Sequence, residues 1–153
     1  MNRLELLIPP PVIMLFTGVF MWLLASMFPT WTLVWSASAA VAATVSLIGL
    51  ALGLMGVVAF RRANTTADPR RPQETSTLVQ EGVYRYSRNP MYLAVLIILI
   101  GWAIYLSNFL SALFIVVFIA YITRYQIIPE EQLLEKKFGD DFLLYKSRVR
   151  RWL

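Results

Sequence analysis

The sequence contains no cysteine and no histidine. Without cysteine there are no disulfides, no thiolate nucleophile and no cysteine-ligated metal. Without histidine the commonest general base and metal ligand is gone as well. Zinc and non-haem iron chemistry are therefore not expected, and any base must be Glu, Asp, Tyr, Lys or water. Charge is scarce too: 15% of the 153 residues are charged against 58% hydrophobic, and the mean hydropathy is +0.62. The apolar residues fall in long uninterrupted runs, which places the chain in the membrane class. The net charge of +5 does not argue for nucleic acid as a partner. Its positions flank the hydrophobic runs, where the positive-inside rule and anionic lipid account for them.

Taken in order, the chain predicts an all-α polytopic membrane protein, read as a single domain over residues 1–153, with four transmembrane helices and an amphipathic C-terminal helical tail. The opening MNRLELLIPPP lacks a basic n-region and a small-residue cleavage pattern, so the first apolar segment is expected to be retained. Prolines 9–11 set up a first span at about 11–28, with Pro29 beyond its end. A second runs from about 33 to 60, where Arg61 and Arg62 stop it. Its Gly49-x-x-x-Gly53 spacing is a close-packing signature for helices in lipid. Packing within the chain is its main reading, and a homodimer seam through Gly49 and Gly53 is the other. Residues 61–89 form the one long polar connector. Spans three (90–106) and four (109–128) make a tight hairpin, and residues 129–153 form the tail. There Leu134, Phe138, Phe142, Tyr145, Val149 and Trp152 recur at three- and four-residue steps, a stripe suited to the membrane surface.

Every charged side chain lies in the N-terminal segment, the connector or the region from Arg124 onward. Four spans place these on one side, and the positive-inside rule makes that side the cytoplasm. The expectation is an integral membrane protein, in a bacterial inner membrane or another cytoplasm-facing one, with both termini cytoplasmic. A small transporter is the weaker alternative, because apart from Arg124 near an end no ionisable residue lies inside a span. A non-catalytic membrane scaffold, docking through its glycines and anchored by its basic tail, is the other.

Two polar clusters carry the chemistry. The first is Leu78 to Tyr92, LVQEGVYRYSRNPMY, where the connector turns into span three. Asn89 before Pro90 is by itself a helix start, and Arg and Tyr at a membrane edge are common anchors. The second runs from Thr123 through Arg124, Gln126, Glu130 and Glu131 into the tail. The two helices of a hairpin bring both clusters to one membrane level, although they lie some forty residues apart in sequence.

At these residues the chain resembles the membrane-embedded methyltransferases that include isoprenylcysteine carboxyl methyltransferase and phosphatidylethanolamine N-methyltransferase. The matching pieces are TLVxxGVY at 77–84, RNPMY at 88–92, GWAI at 101–104, EExxL at 130–134 and FGxxFxxYxxxV at 138–149. The resemblance implies S-adenosylmethionine as methyl donor, with S-adenosylhomocysteine as product. It assigns donor contacts to Ser76, Thr77, Leu78, Val79, Tyr84, Asn89, Pro90, Met91, Tyr92 and Glu130. It also implies a lipophilic acceptor from the membrane: a phospholipid amine, a prenylated cysteine or another small lipophile. Catalytic roles fall to Tyr92, Arg124, Gln126 and Glu131, with Glu131, Tyr92 or water taking any acceptor proton. A sulfonium bearing an ammonium group asks for a carboxylate and aromatic faces, which Glu130, Tyr84 and Tyr92 can offer. The prenylcysteine branch commonly has His where this chain has Asn89, and its arginine for the substrate carboxylate falls on Gln126. A carboxylate acceptor thereby loses a bidentate partner.

Overall fold

A computed structural model describes residues 5–33, 35–63 and 77–153. Among the described residues there are six α-helices: α1 (Pro10–Met27), α2 (Ser38–Arg62), α3 (Pro90–Leu106), α4 (Phe109–Ile122), α5 (Ile128–Phe138) and α6 (Asp140–Arg148). Helices α1 and α2 are long and apolar enough to cross a membrane, as is the continuous helix Phe109–Phe138, whereas α3 is a shorter apolar helix of 17 residues. The chain is a polytopic helical membrane protein.

Helix α2 begins five residues later than its apolar run suggests, and the reason lies at the far end of the bundle. Leu33 N–H donates to Ser107 O at 2.8 Å, and Asn108 Nδ2 donates to Phe28 O and Thr32 Oγ1, both at 2.9 Å. These bonds stitch the α1–α2 turn to the α3–α4 turn. Residues up to Leu33 are held in this turn instead of the helix, as the backbone groups of a membrane protein must find partners within the chain.

Helix α3 is central and packs against α1, α2 and α4. Its Tyr92, Leu93, Leu96 and Leu99 form the main core with Ile13 and Met21 of α1 and with Phe118, Ile122 and Ile127. Toward α2 the contact is closer, because glycines remove side chains on both helices. A Cβ on Gly49 would lie 2.9 Å from Ala94 O, and one on Gly101 would lie 2.9 Å from Ala42 O and collide with Ser46 Oγ. Gly49, on the glycine face of α2, is thus turned to α3 within the chain. Gly101→Ala is expected to lower stability by roughly 1–3 kcal/mol, the usual cost of overpacking, measured as a fall in the unfolding midpoint in detergent.

At the other end, α4 runs into α5 through a π-turn at Thr123–Ile127. Pro129 has no N–H to offer Tyr125 O, four residues back, yet the helix does not stop there. It widens instead, and the released carbonyl of Tyr125 is taken by Leu6 N–H at 3.0 Å. Gly139, at φ +53°, then turns the chain from α5 into α6 in a conformation that favours glycine. The apolar stripe of the tail is turned inward. Phe142, Tyr145 and Val149 form a second core with Leu78, Leu134 and Phe138, and Trp152 packs on the first.

Candidate active site

The two polar clusters meet where α3 starts and α5 starts. Tyr92, on the first turn of α3, donates its hydroxyl to Glu130 Oε2 at 3.1 Å. The adjacent Glu131 takes an opposite course. It is buried and receives Arg88 Nη2 on Oε1 and Arg151 Nη2 on Oε2, each at 2.7 Å. Arg88 Nε and Arg151 Nε add bonds to Oε1 at 3.1 and 3.2 Å.

Arg88 also donates to the carbonyls of Lys146 and Val149, while its own N–H reaches Arg150 O at 3.0 Å. Asn89 Nδ2 donates to Arg151 O at 3.0 Å. The side chain of Asn89 therefore does not cap α3, despite its fitness for that role. It joins Ser87 and Arg88 in clamping the peptide that follows α6. Tyr145 completes the clamp by donating to Tyr84 O at 2.8 Å.

The electrostatics separate the two glutamates. Glu130 lies at the start of α5, beyond the apolar run that ends at Ile128. Burial pushes its carboxyl up to about 7, with the Tyr92 hydrogen bond pulling the other way and the Glu131 charge adding to the rise. Burial would raise Glu131 as well, but its hydrogen bonds to Arg151 and Arg88, reinforced by their charges, hold it below the usual carboxylate range. Burial also raises the phenols of Tyr84 and Tyr145 above their ordinary range, so both stay protonated donors.

The remaining residues singled out by sequence divide between two sides. Tyr84 is buried, stacks edge-on against Phe60 at 5.3 Å and senses the Glu130 charge. Pro90 and Met91 begin α3, with Met91 against the bare face of Gly56. Leu78 packs in the second core, with Thr77 and Val79 beside it in the chain. Ser76 lies outside the described residues. Gln126 is fully buried, one helical turn before Glu130, and Nε2 donates to Ile8 O at 2.9 Å. That bond fixes the amide orientation and leaves Gln126 Oε1 buried with no partner, as is Thr123 Oγ1 in the same π-turn. Arg124 points elsewhere: it pairs with Glu5 at 3.1 Å and lies over the Tyr125 ring at 5.5 Å.

Sequence reasoning did not find the Arg88–Glu131–Arg151 triad or the clamp on the tail backbone. No spacing rule links residues 20 and 43 positions apart. The nearest signal was the density of Arg between Tyr84 and Asn89, which read equally well as interfacial anchoring.

A donor with a sulfonium and an ammonium group fits the charge pattern. Among the described residues the side-chain bond of Glu130 is to a phenol, Tyr92, instead of a cation, and Tyr84 lies near enough to feel its charge. Apolar helices around a polar, glutamate-bearing site at one edge define an integral membrane protein with its polar site at one end of the bundle.

The phospholipid methyltransferase family model matches residues 37–141. Protein-S-isoprenylcysteine O-methyltransferase B of Arabidopsis thaliana is 31% identical over 106 residues, which are 69% of this chain and 54% of that protein. The corresponding O-methyltransferase of Schizosaccharomyces pombe is 33% identical over 72 residues, covering 47% of this chain and 30% of that one. An uncharacterized protein of Haemophilus influenzae is 49% identical over 63 residues, its whole length and 41% of this chain. The chain thus spans about half or less of the two named enzymes. No solved structure matches. The chain belongs to the phospholipid methyltransferase family, a family of membrane methyltransferases.

Proposed function

We propose that the protein is an S-adenosylmethionine-dependent methyltransferase acting on a lipophilic acceptor at the cytoplasmic face of its membrane. The observation that carries the reading is the Tyr92–Glu130 hydrogen bond, which joins the two polar edges of the α3–α4 hairpin around one carboxylate whose hydrogen-bond partner among the described residues is a phenol. The acceptor would enter sideways from the bilayer and the polar donor from water.

When bound, S-adenosylmethionine supplies a methyl group on a sulfonium, open to a single in-line displacement. In this reading Glu130 holds the ammonium group of the donor, Tyr84 and Tyr92 give it aromatic faces, and the first turn of α3, where Met91 has an N–H and Pro90 none, receives its carboxylate. Ser76, Thr77, Leu78, Val79 and Asn89 complete the donor side of the connector. Gln126 faces the acceptor, and Arg124 sits at the entrance where the N-terminal segment meets the π-turn. Glu131 acts by position: its lone pairs are engaged by two guanidinium groups and its low pKa makes it a poor proton acceptor, so it fixes the helix start on which Glu130 stands. Catalysis rests on placing the two reactants, which is worth ~7–11 kcal/mol in well-oriented cases. The proton of an amine or thiol acceptor passes to water or to the Tyr92–Glu130 pair.

Calorimetry with S-adenosylhomocysteine on the detergent-solubilised protein tests the reading. Absence of binding to the wild type overturns it, and undiminished binding to Glu130→Ala overturns the donor site. Tyr92→Phe removes the hydroxyl that orients Glu130 and leaves the ring. It is expected to weaken binding by roughly tenfold and to lower the unfolding midpoint, since a hydrogen bond to a charged group contributes about 1.5–3 kcal/mol.

A further inference from the structure

Helices α1 and α2 both pack against α3 and barely touch each other. Between them lies a groove of about 750 Å³, floored by α3 and walled by α1 and α2. Its size falls in the range of small-molecule sites, roughly 300–1,000 Å³. The room comes from small residues on all three helices, among them Gly18, Ala39, Ala42, Ala43 and Gly101. No charged residue lines it. The indole N–H of Trp102 on the floor is already bonded to Gly18 O at 3.0 Å, and the Trp102 ring stacks on Tyr105 at 5.4 Å. The groove thus offers an occupant apolar faces and aromatic rings.

Its depth fixes what that occupant is. Ile98 and Tyr105 line it and lie 6 and 13 residues along α3 from Tyr92, roughly 9 and 20 Å at 1.5 Å per residue. The groove therefore occupies the half of the bundle away from the Tyr92–Glu130 site and sits within the hydrocarbon. Water does not fill an apolar cavity at that depth. Its α1 wall is open to the surroundings, with Leu15, Val19 and Trp22 exposed by 65%, 44% and 51%.

We propose that this groove binds one hydrocarbon chain of a membrane lipid from the leaflet opposite the charged segments. The chain serves as the packing partner that α1 and α2 do not provide for each other. The site is separate from the methyl-transfer reading and does not depend on it.

Native mass spectrometry of the full chain, released from detergent containing dioleoyl phosphatidylcholine, tests the proposal together with the unfolding midpoint with and without that lipid. The expected result is one lipid per wild-type chain that survives activation after the others have been stripped, and a midpoint that rises with lipid concentration. Ala43→Phe fills the groove from α2, and Val19→Phe fills it from α1. Either one is expected to lose the retained lipid and the lipid dependence of its midpoint while keeping helical circular dichroism. Two substitutions from opposite walls keep the test open if one of them misfolds. The proposal is overturned if the wild type retains no lipid, if a folded filled variant retains it equally, or if the retained species is a second copy of the chain.

Discussion

Glu131→Ala is expected to be the most damaging single substitution at the site, lowering stability by roughly 3–5 kcal/mol. The reason is the charge left behind. Arg88 has a side chain only 9% exposed and would be left without its carboxylate partner, in surroundings that cannot solvate a guanidinium. Arg88→Ala is expected to cost a similar amount, because it strips the buried carboxylate of one partner and also frees the carbonyls of Lys146 and Val149. Arg151→Ala should cost no more than about 1 kcal/mol, since that side chain is 35% exposed and water replaces much of what is lost. Denaturant titration in mixed micelles reads this order, and equal losses for Arg88 and Arg151 would contradict it. The pH dependence follows from the same pair. The folded-state pKa of Glu131 lies below its unfolded value near 4.5, so its contribution is fully present above that pH and is lost as pH falls through the folded pKa. Glu131→Gln is expected to be less stable near neutral pH and to show a shallower decline in acid.

Affinity for S-adenosylhomocysteine is expected to rise about tenfold between pH 6 and pH 8, because a carboxylate titrating near 7 is roughly one-tenth ionised at the lower value and nine-tenths at the higher. Only the ionised form attracts an ammonium group. Glu130→Gln should bind at least tenfold more weakly at pH 8 and show little pH dependence over that range. A variant that kept the slope would place the titrating group elsewhere. The unliganded protein should behave in the opposite sense. A group raised from 4.5 to about 7 on folding is protonated more readily in the native state than in the unfolded one, so its contribution to stability falls as pH rises through that window. Donor affinity increasing while unliganded stability decreases is a combination that Glu131, titrating below the window, cannot produce.

Much of this was legible in the residues. Runs of apolar side chains bounded by proline, arginine and glycine gave the helices to within a few positions, and a hairpin of two spans sufficed to bring Tyr92 toward Glu130. The exceptions have physical causes. Helix α2 started late because Asn108, eighty residues from Phe28, took the carbonyl of Phe28 in a contact no local pattern encodes. The helix ran through Pro129 because Leu6 accepted the task of satisfying Tyr125 O. Glu130 and Glu131, adjacent and chemically identical, are driven apart by burial, which raises the first, and by two arginines distant in sequence, which lower the second. Only three-dimensional neighbours decide which of two such carboxylates is free to titrate.

The strap formed by residues 146–151 also bears on the order in which the protein assembles during synthesis. Its carbonyls and Arg151 meet Ser87, Arg88 and Asn89 from about sixty positions downstream, so all four spans must leave the ribosome before the strap can dock. Arg88 gains Glu131 first, as α5 emerges, and the strap only afterwards. Assembly of the site therefore waits on residues 146–151, whose carbonyls are the last partners the Arg88 guanidinium gains.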